Sequence, residues 1–153
     1  MTEFRGTWTE DDVETFLQET TVPIRIATRR PDGSPWIVTL WYRYRDGALE
    51  CATQANADLV RFLRHEPAIA FDISTNRVPY RGIRGNGTVE IDSDGGPVLR
   101  DLVERYLGGT DSPLAEWLLD EEREEARIRI APDEIYSWDY SDRMGAGSSD
   151  RTA

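Results

Sequence analysis

The sequence predicts an α+β fold of roughly six to seven strands, mostly in sequence-local antiparallel pairs, forming a small closed or split β-barrel with short flanking helices. Period-two alternation of apolar residues recurs through 22–30, 36–45, 48–54 and 68–74, with turn residues between the runs. Helical stretches are short and fall between only some of the strands, which argues against a doubly wound parallel sheet. The 153 residues make one domain's worth of chain, and no internal repeat is visible.

Thr9 has the character of an N-cap, with Asp12 completing a short capping box, and Val13, Phe16 and Leu17 fall on one face of a helix ending near Thr20. This helix reads as an amphipathic lid or brace. Ile24, Ile26 and Thr28 alternate with Arg25, Ala27 and Arg29 as a strand, and Pro31-Asp32-Gly33 supplies a turn.

The next strand, 36–45, separates into two faces. Trp36, Val38, Leu40, Tyr42 and Tyr44 form a core face, and Ile37, Thr39, Trp41, Arg43 and Arg45 suit an interface or a ligand. Asp46-Gly47 predicts a hairpin into 48–54. Asn56 is placed to cap a helix that packs Leu59, Val60, Phe62 and Leu63 inward and closes at Pro67. The free amides at its start can hold a phosphate, with Asp58 opposing an anion unless turned away.

A strand over 68–74 is followed by a long one interrupted by Gly82, Gly85 and Gly87. Either something flat approaches that backbone, or a bulge bends the sheet. Val98, Leu99, Leu102, Val103 and Tyr106 form one stripe of a helix over 97–107, stopped by Gly108-Gly109. Ser112-Pro113 starts another helix with Leu114, Trp117 and Leu118 as its buried edge. The acidic run 120–125 reads as a solvated face. Two last strands are expected on either side of Pro132-Asp133, and 145–153 is expected to be disordered.

Acidic residues number 29 against 18 basic ones, all arginine, for a net charge of −11. A carboxylate-rich chain without lysine fits a protein working in concentrated salt, where screening removes most self-repulsion; an ordinary acidic protein from a GC-rich genome is the other reading. The charge argues against nucleic acid. Cys51 is the only cysteine and His65 the only histidine, so an intrachain disulfide and a multi-cysteine metal site are excluded, and no G-x-S-x-G elbow supports a serine triad. Cys51 reads as a small buried hydrophobe, and His65 as complementing a helix end. With no long apolar run, a soluble cytoplasmic protein is expected.

Taken together, the polar Gly/Pro turn, the hairpin leading to Thr53, the helix closing at Pro67, the strand YRGIRGNG, and Trp138 followed by Arg143 resemble the flavin-binding split barrels of the pyridoxamine 5'-phosphate oxidase-like superfamily, over roughly residues 10–144. The resemblance implies a single FMN-binding domain over 1–144, a Greek-key split barrel, and a homodimer with FMN, or alternatively a deazaflavin coenzyme, at the subunit interface. By that resemblance Ile37, Thr39, Thr53 and Gln54 line the cofactor, Ala57 and Arg61 lie near its phosphate, and Trp138 and Arg143 approach from the C-terminal strand, in one version from the partner.

Trp41 is either a packing residue or a platform for the ring. Leu59 stands where many members carry a phosphate-gripping lysine, and Trp36 or Ile37 where the oxidase has an arginine. Arg25, Arg43, Arg81 and Arg84 are the candidate substitutes, because guanidinium groups take phosphate in a bidentate way. Arg81 and Arg84 fall on opposite faces of a regular strand, so at most one is expected at the ligand. The expected function is a flavin-dependent oxidoreductase acting on a small molecule. The alternatives are a flavin, deazaflavin or haem carrier, or an interaction domain that has lost its cofactor.

Overall fold

The computed structural model describes residues 1–143. Its elements are β1 (Glu3–Gly6), α1 (Glu10–Glu19), β2 (Ile24–Arg29), β3 (Pro35–Leu40), β4 (Arg43–Arg45), β5 (Ala48–Gln54), α2 (Asp58–His65), β6 (Ala68–Ser74), β7 (Arg81–Asp92), α3 (Gly95–Leu107), α4 (Pro113–Leu118) and β8 (Glu125–Asp139). The strands form one 8-stranded sheet in the order β3-β2-β6-β7-β8-β5-β4, with β1 joined to β8 in parallel and the other pairs antiparallel. The sheet curls without closing, which makes β3 and the β4–β5 hairpin its two ends and confirms the split barrel.

Inward-facing Ile24, Ile26, Leu49, Cys51, Ile73, Ile83, Ile128, Ile130 and Ile135 fill the barrel, together with Val13, Phe16 and Leu17 of α1 and Leu59 and Leu63 of α2. Thr9 caps α1 through the predicted box: its hydroxyl accepts from the Asp12 N–H, and the Asp12 carboxylate accepts from the Thr9 N–H. A second, smaller cluster of Leu99, Val103 and Ala115 lies outside the barrel under Trp41, Ala52, Leu118 and Leu119. It fastens α3 and α4 to the sheet.

Several expectations need correction. Among the described residues the strand count is eight, above the expected six to seven. The run 36–45 is two strands with different partners: Pro35–Leu40 pairs with β2, and Arg43–Arg45 pairs with β5. The chain turns a corner at Trp41-Tyr42, and an unbroken apolar alternation hid the change of partner. Trp36 is exposed at the barrel's end, edge-on to Phe62 at 5.9 Å. The two C-terminal strands are one continuous β8. Pro132 is tolerated there because the register with β7 slips by a bulge between Asn86 and Gly87.

That bulge also decides between the two readings of the glycine-rich strand. A side chain at Gly85 would run into the Glu134 carbonyl and the Phe71 ring, and one at Gly87 into the Ala131 carbonyl. The glycines therefore serve sheet curvature, and what approaches them is the protein itself. Ala57, not Asn56, is the N-cap of α2, and it makes no side-chain cap bond. On α4, Ala115 is the buried residue, while Leu114 is 48% and Trp117 61% exposed. β1 is four residues long, too short to show a periodicity in the sequence. The tail expected over 145–153 lies outside the described residues.

Candidate functional site at the barrel's open seam

The split of the barrel creates a groove. Thr39, Leu40 and Trp41 from the β3 end face Ala52, Thr53 and Gln54 from β5 across a cavity of about 550 Å³, roofed by Leu99 and Leu102 of α3 and Leu114 and Leu118 of α4, with Arg123 and Glu125 at its rim. The corner that carries Trp41 is firmly held. Trp41 stacks on Tyr106 at 5.1 Å with the rings 7° from parallel. The Tyr42 N–H donates to the Tyr106 hydroxyl at 3.3 Å, and the Tyr42 hydroxyl lies 3.0 Å from the carbonyls of Leu17 and Thr20. Arg105 of α3 donates to the same two carbonyls and to that of Gln18, which ties α1, α3 and the corner together. Burial pushes the Tyr42 phenol well above its ordinary value, so it remains a neutral donor.

A flavin or deazaflavin ring needs hydrogen-bond partners along its carbonyl and N–H edge and an apolar surface against its face. Thr39, Thr53 and Gln54 can supply the first, and Trp41 and Leu40 the second. The donor set of the groove thus fits such a group.

A second groove of about 780 Å³ lies on the outer face of the sheet, lined among others by Arg25, Ile37, Asp72, Arg84 and Tyr136. Strand register places Thr39, Arg25, Asp72, Arg84 and Tyr136 in one row across β3, β2, β6, β7 and β8. Thr39 at the end of that row also lines the seam. The Arg84 guanidinium covers the rings of Tyr136 at 4.7 Å and Trp138 at 5.5 Å.

No family model matches the chain, and no curated protein matches its sequence. Solved structures do. A conserved hypothetical protein, Rv2991, from Mycobacterium tuberculosis superposes with a TM-score of 0.72 at 23% identity, over 88% of this chain and 86% of the other. An F420 reductase superposes with a TM-score of 0.64 at 27% identity, over 78% of this chain and 92% of the other. A candidate pyridoxamine 5'-phosphate oxidase from Listeria innocua gives 0.63 at 15% identity, over 84% and 96%. The chain has the split-barrel fold of the pyridoxamine 5'-phosphate oxidase-like superfamily.

Within that split barrel, the residues singled out from the sequence fall into separate places. Thr39, Trp41, Thr53 and Gln54 meet at the seam. Ala57 follows from β5 through the turn at 55–57, and Arg61 lies one turn along α2, exposed and 3.4 Å from Asp58. Ile37 and Arg84 belong to the outer groove, with Trp138 under the Arg84 guanidinium. Arg81 is on the other face of β7, over Phe16 at 5.7 Å, as strand parity required. Arg143 covers Tyr140 at 5.6 Å.

Leu59 is buried in the barrel core, so the phase of α2 carries the position of the missing lysine inward. Arg43 is committed elsewhere: its Nε donates to Glu50 at 2.9 Å and its Nη1 to Asp101. It is thereby removed from the substitutes for a phosphate clamp, whereas Arg25 and Arg84 form no ion pair among the described residues. Cys51 is sealed in the core, where burial pushes its thiol up to about 12, and no cluster of metal-ligating side chains occurs among the described residues.

Sequence reading missed the Arg123–Glu125 pair at the rim. It sits within the acidic run taken as a solvated face, and the signal available was the lone arginine among five acids at the start of a strand.

Proposed function

We propose that this protein is a flavin- or deazaflavin-dependent oxidoreductase whose cofactor lies at the open seam. The observation that carries this reading is the meeting of Thr39, Trp41, Thr53 and Gln54, drawn from opposite ends of the sheet, in one groove. Thr39, Thr53 and Gln54 hydrogen-bond the polar edge of the ring, and Trp41, immobilised on Tyr106, fixes its tilt. Ala57 and Arg61 receive the phosphate at the start of α2, where unpaired amides favour an anion. The exposed Asp58–Arg61 pair holds the guanidinium only weakly and can release it.

A bound flavin or deazaflavin supplies hydride transfer; the chain's residues bind it, orient it and exclude water. The likeness to an F420 reductase supports the deazaflavin form, and the oxidase-like neighbour supports FMN. Among the described residues, none that lines the groove is a histidine, cysteine or methionine, the side chains that would serve as a haem ligand.

We further propose that the protein acts as a homodimer. The outer row of Arg25, Asp72, Arg84 and Tyr136, with exposed Ile37 beside it, becomes the face that meets the second copy and brings the partner's Trp138 and Arg143 toward the cofactor. Light scattering that gives the mass of a monomer at micromolar concentration contradicts this.

The acidic, lysine-free surface supports work in concentrated salt; a melting temperature that does not rise from low to molar salt contradicts it. The enzyme reading itself is tested by the visible spectrum of purified protein and by titration with FMN and with the deazaflavin coenzyme. Saturable binding of one of them near one equivalent per chain is expected. Protein that takes up neither overturns the proposal.

A further inference from the structure

Beyond the cofactor residues, the seam groove has an apolar end with one arginine–glutamate pair at its mouth. Leu99, Leu102, Leu114 and Leu118 form that end, and the cavity's about 550 Å³ falls in the range used for small ligands. Arg123 reaches it from the turn before β8. The Arg123 N–H donates to the Asp120 carbonyl at 3.1 Å, and the Asp120 carboxylate accepts from the Glu122 N–H at 2.9 Å, which fixes that turn.

Two contacts then hold the guanidinium in place. It lies over the Trp117 ring at 4.5 Å, and its Nε donates to Glu125 at 3.1 Å, with the two side chains only 18% and 6% exposed. Its terminal nitrogens make no hydrogen bond to a described residue. A guanidinium with its plane and Nε fixed and its outer edge free is pre-organised to donate to an acceptor oxygen of a ligand.

The charge around it selects which oxygen. Glu125 already balances Arg123, and Asp120, Glu121, Glu122 and Glu124 flank the pair along the chain on exposed positions, outnumbering Arg43, Arg45 and Arg100, which line the adjoining pocket. A ligand carboxylate would approach a neutral pair inside an acidic field, whereas an uncharged carbonyl gains a charge-assisted bond without that repulsion. Trp117 has a role here too: it is 61% exposed on a six-residue helix, and its face is the platform that orients the arginine.

We infer that Arg123 is the specificity-determining residue of the seam, and that the apolar end of the groove takes an uncharged, largely apolar molecule carrying one carbonyl-type oxygen. This deepens the reading above by naming the substrate class, and it rests on that reading for the position of the cofactor. Its test does not, because it uses cofactor-free protein.

Equilibrium dialysis at about 0.1 M salt, where screening extends over about 10 Å, compares naphthalene, 2-acetylnaphthalene and 2-naphthoate. 2-Acetylnaphthalene is expected to bind about tenfold more tightly than either of the others, the worth of one hydrogen bond to a charged group. The double variant Arg123→Met/Glu125→Gln leaves no orphaned carboxylate. It is expected to reduce 2-acetylnaphthalene to the level of naphthalene while leaving naphthalene unchanged, which also reports an intact groove. Naphthoate binding as tightly as the ketone, a ketone advantage that survives in the double variant, or no binding of any of the three overturns the inference. Failure of the cofactor titration alone leaves these outcomes readable.

Discussion

Two arginine–glutamate systems lie on the α3–α4 side of the sheet, and they are built to opposite ends. Around Glu50 every charge is answered. Its carboxylate accepts from Arg43 at 2.9 Å and from Arg127 at 3.2 Å, Arg43 continues to Asp101 on α3, and Arg127 continues to Asp92 at 2.6 Å. With its side chain 5% exposed, Glu50 is tolerated because each of its carboxylate oxygens accepts from an arginine. Around Glu125 the same chemistry is left open: one arginine, one bond through Nε, and a free guanidinium edge at the mouth of a cavity. A network whose arginines are each held between two carboxylates fastens α3 to the barrel; an arginine held at one nitrogen only keeps a free donor edge.

The contrast breaks most visibly at Glu50. Glu50→Ala leaves two half-buried guanidinium groups without their shared partner, and a loss of about 3–5 kcal/mol in urea unfolding is expected. A loss below about 1 kcal/mol would show that the network is dispensable, and with it the distinction drawn between the two systems.

Acid sharpens the same comparison. The hydrogen bond from Arg127 holds Asp92 below its ordinary value of 3.8, so the native chain keeps this carboxylate ionised where the unfolded chain begins to protonate. Its contribution is complete above that ordinary value and fades as pH falls through the lower native one. An Asp92→Asn variant is expected to lose less stability between pH 5 and 3 than the parent chain. An identical pH profile for the two contradicts the assignment.

The open pair should matter little to folding. Arg123→Met/Glu125→Gln removes both partners together and is expected to change unfolding free energy by less than about 1 kcal/mol, in keeping with replacement of an ion pair as a unit. Smallest of all is the effect at Cys51, an internal control on the barrel. Its thiol is pushed up to about 12 from an ordinary 9.0 by burial, so the native chain is expected to resist thiol reagents at pH 8 and to react once unfolded. Because only the unfolded chain ionises there, stability declines as pH rises above 9.

Much of the barrel was legible in the sequence because its signals are local. Thr9 with Asp12, Asp46-Gly47, Gly108 and Ser112-Pro113 each fix an end or a turn through a few neighbouring atoms, and each appears where expected. Errors arose where partners distant in the chain decide. The alternation over 36–45 is uninterrupted, yet its first half answers to β2 and its second to β5. Leu114 and Trp117 have helical spacing, but the short α4 packs against Leu99 and Val103 of α3 through Ala115.

The site divides the same way. Thr53 and Gln54 were accessible through the hairpin that leads to them. That Arg43 would be consumed by Glu50 and Asp101, and that Arg123, paired with Glu125, would sit beside the groove, depended on α3 and α4 being brought to the sheet. No spacing rule within the acidic run carries that information.

The central claim is that the seam, and not the outer groove, holds the polar edge of the cofactor. The most direct measurement is the dissociation constant of the bound flavin or deazaflavin for the parent chain, for Thr53→Val/Gln54→Leu at the seam, and for Arg84→Ala in the outer groove. The seam variant is expected to lose about 2–3 kcal/mol of binding, from two hydrogen bonds, and to exceed the loss at Arg84. Unchanged affinity in the seam variant together with a larger loss at Arg84 would move the cofactor to the outer face and contradict the account.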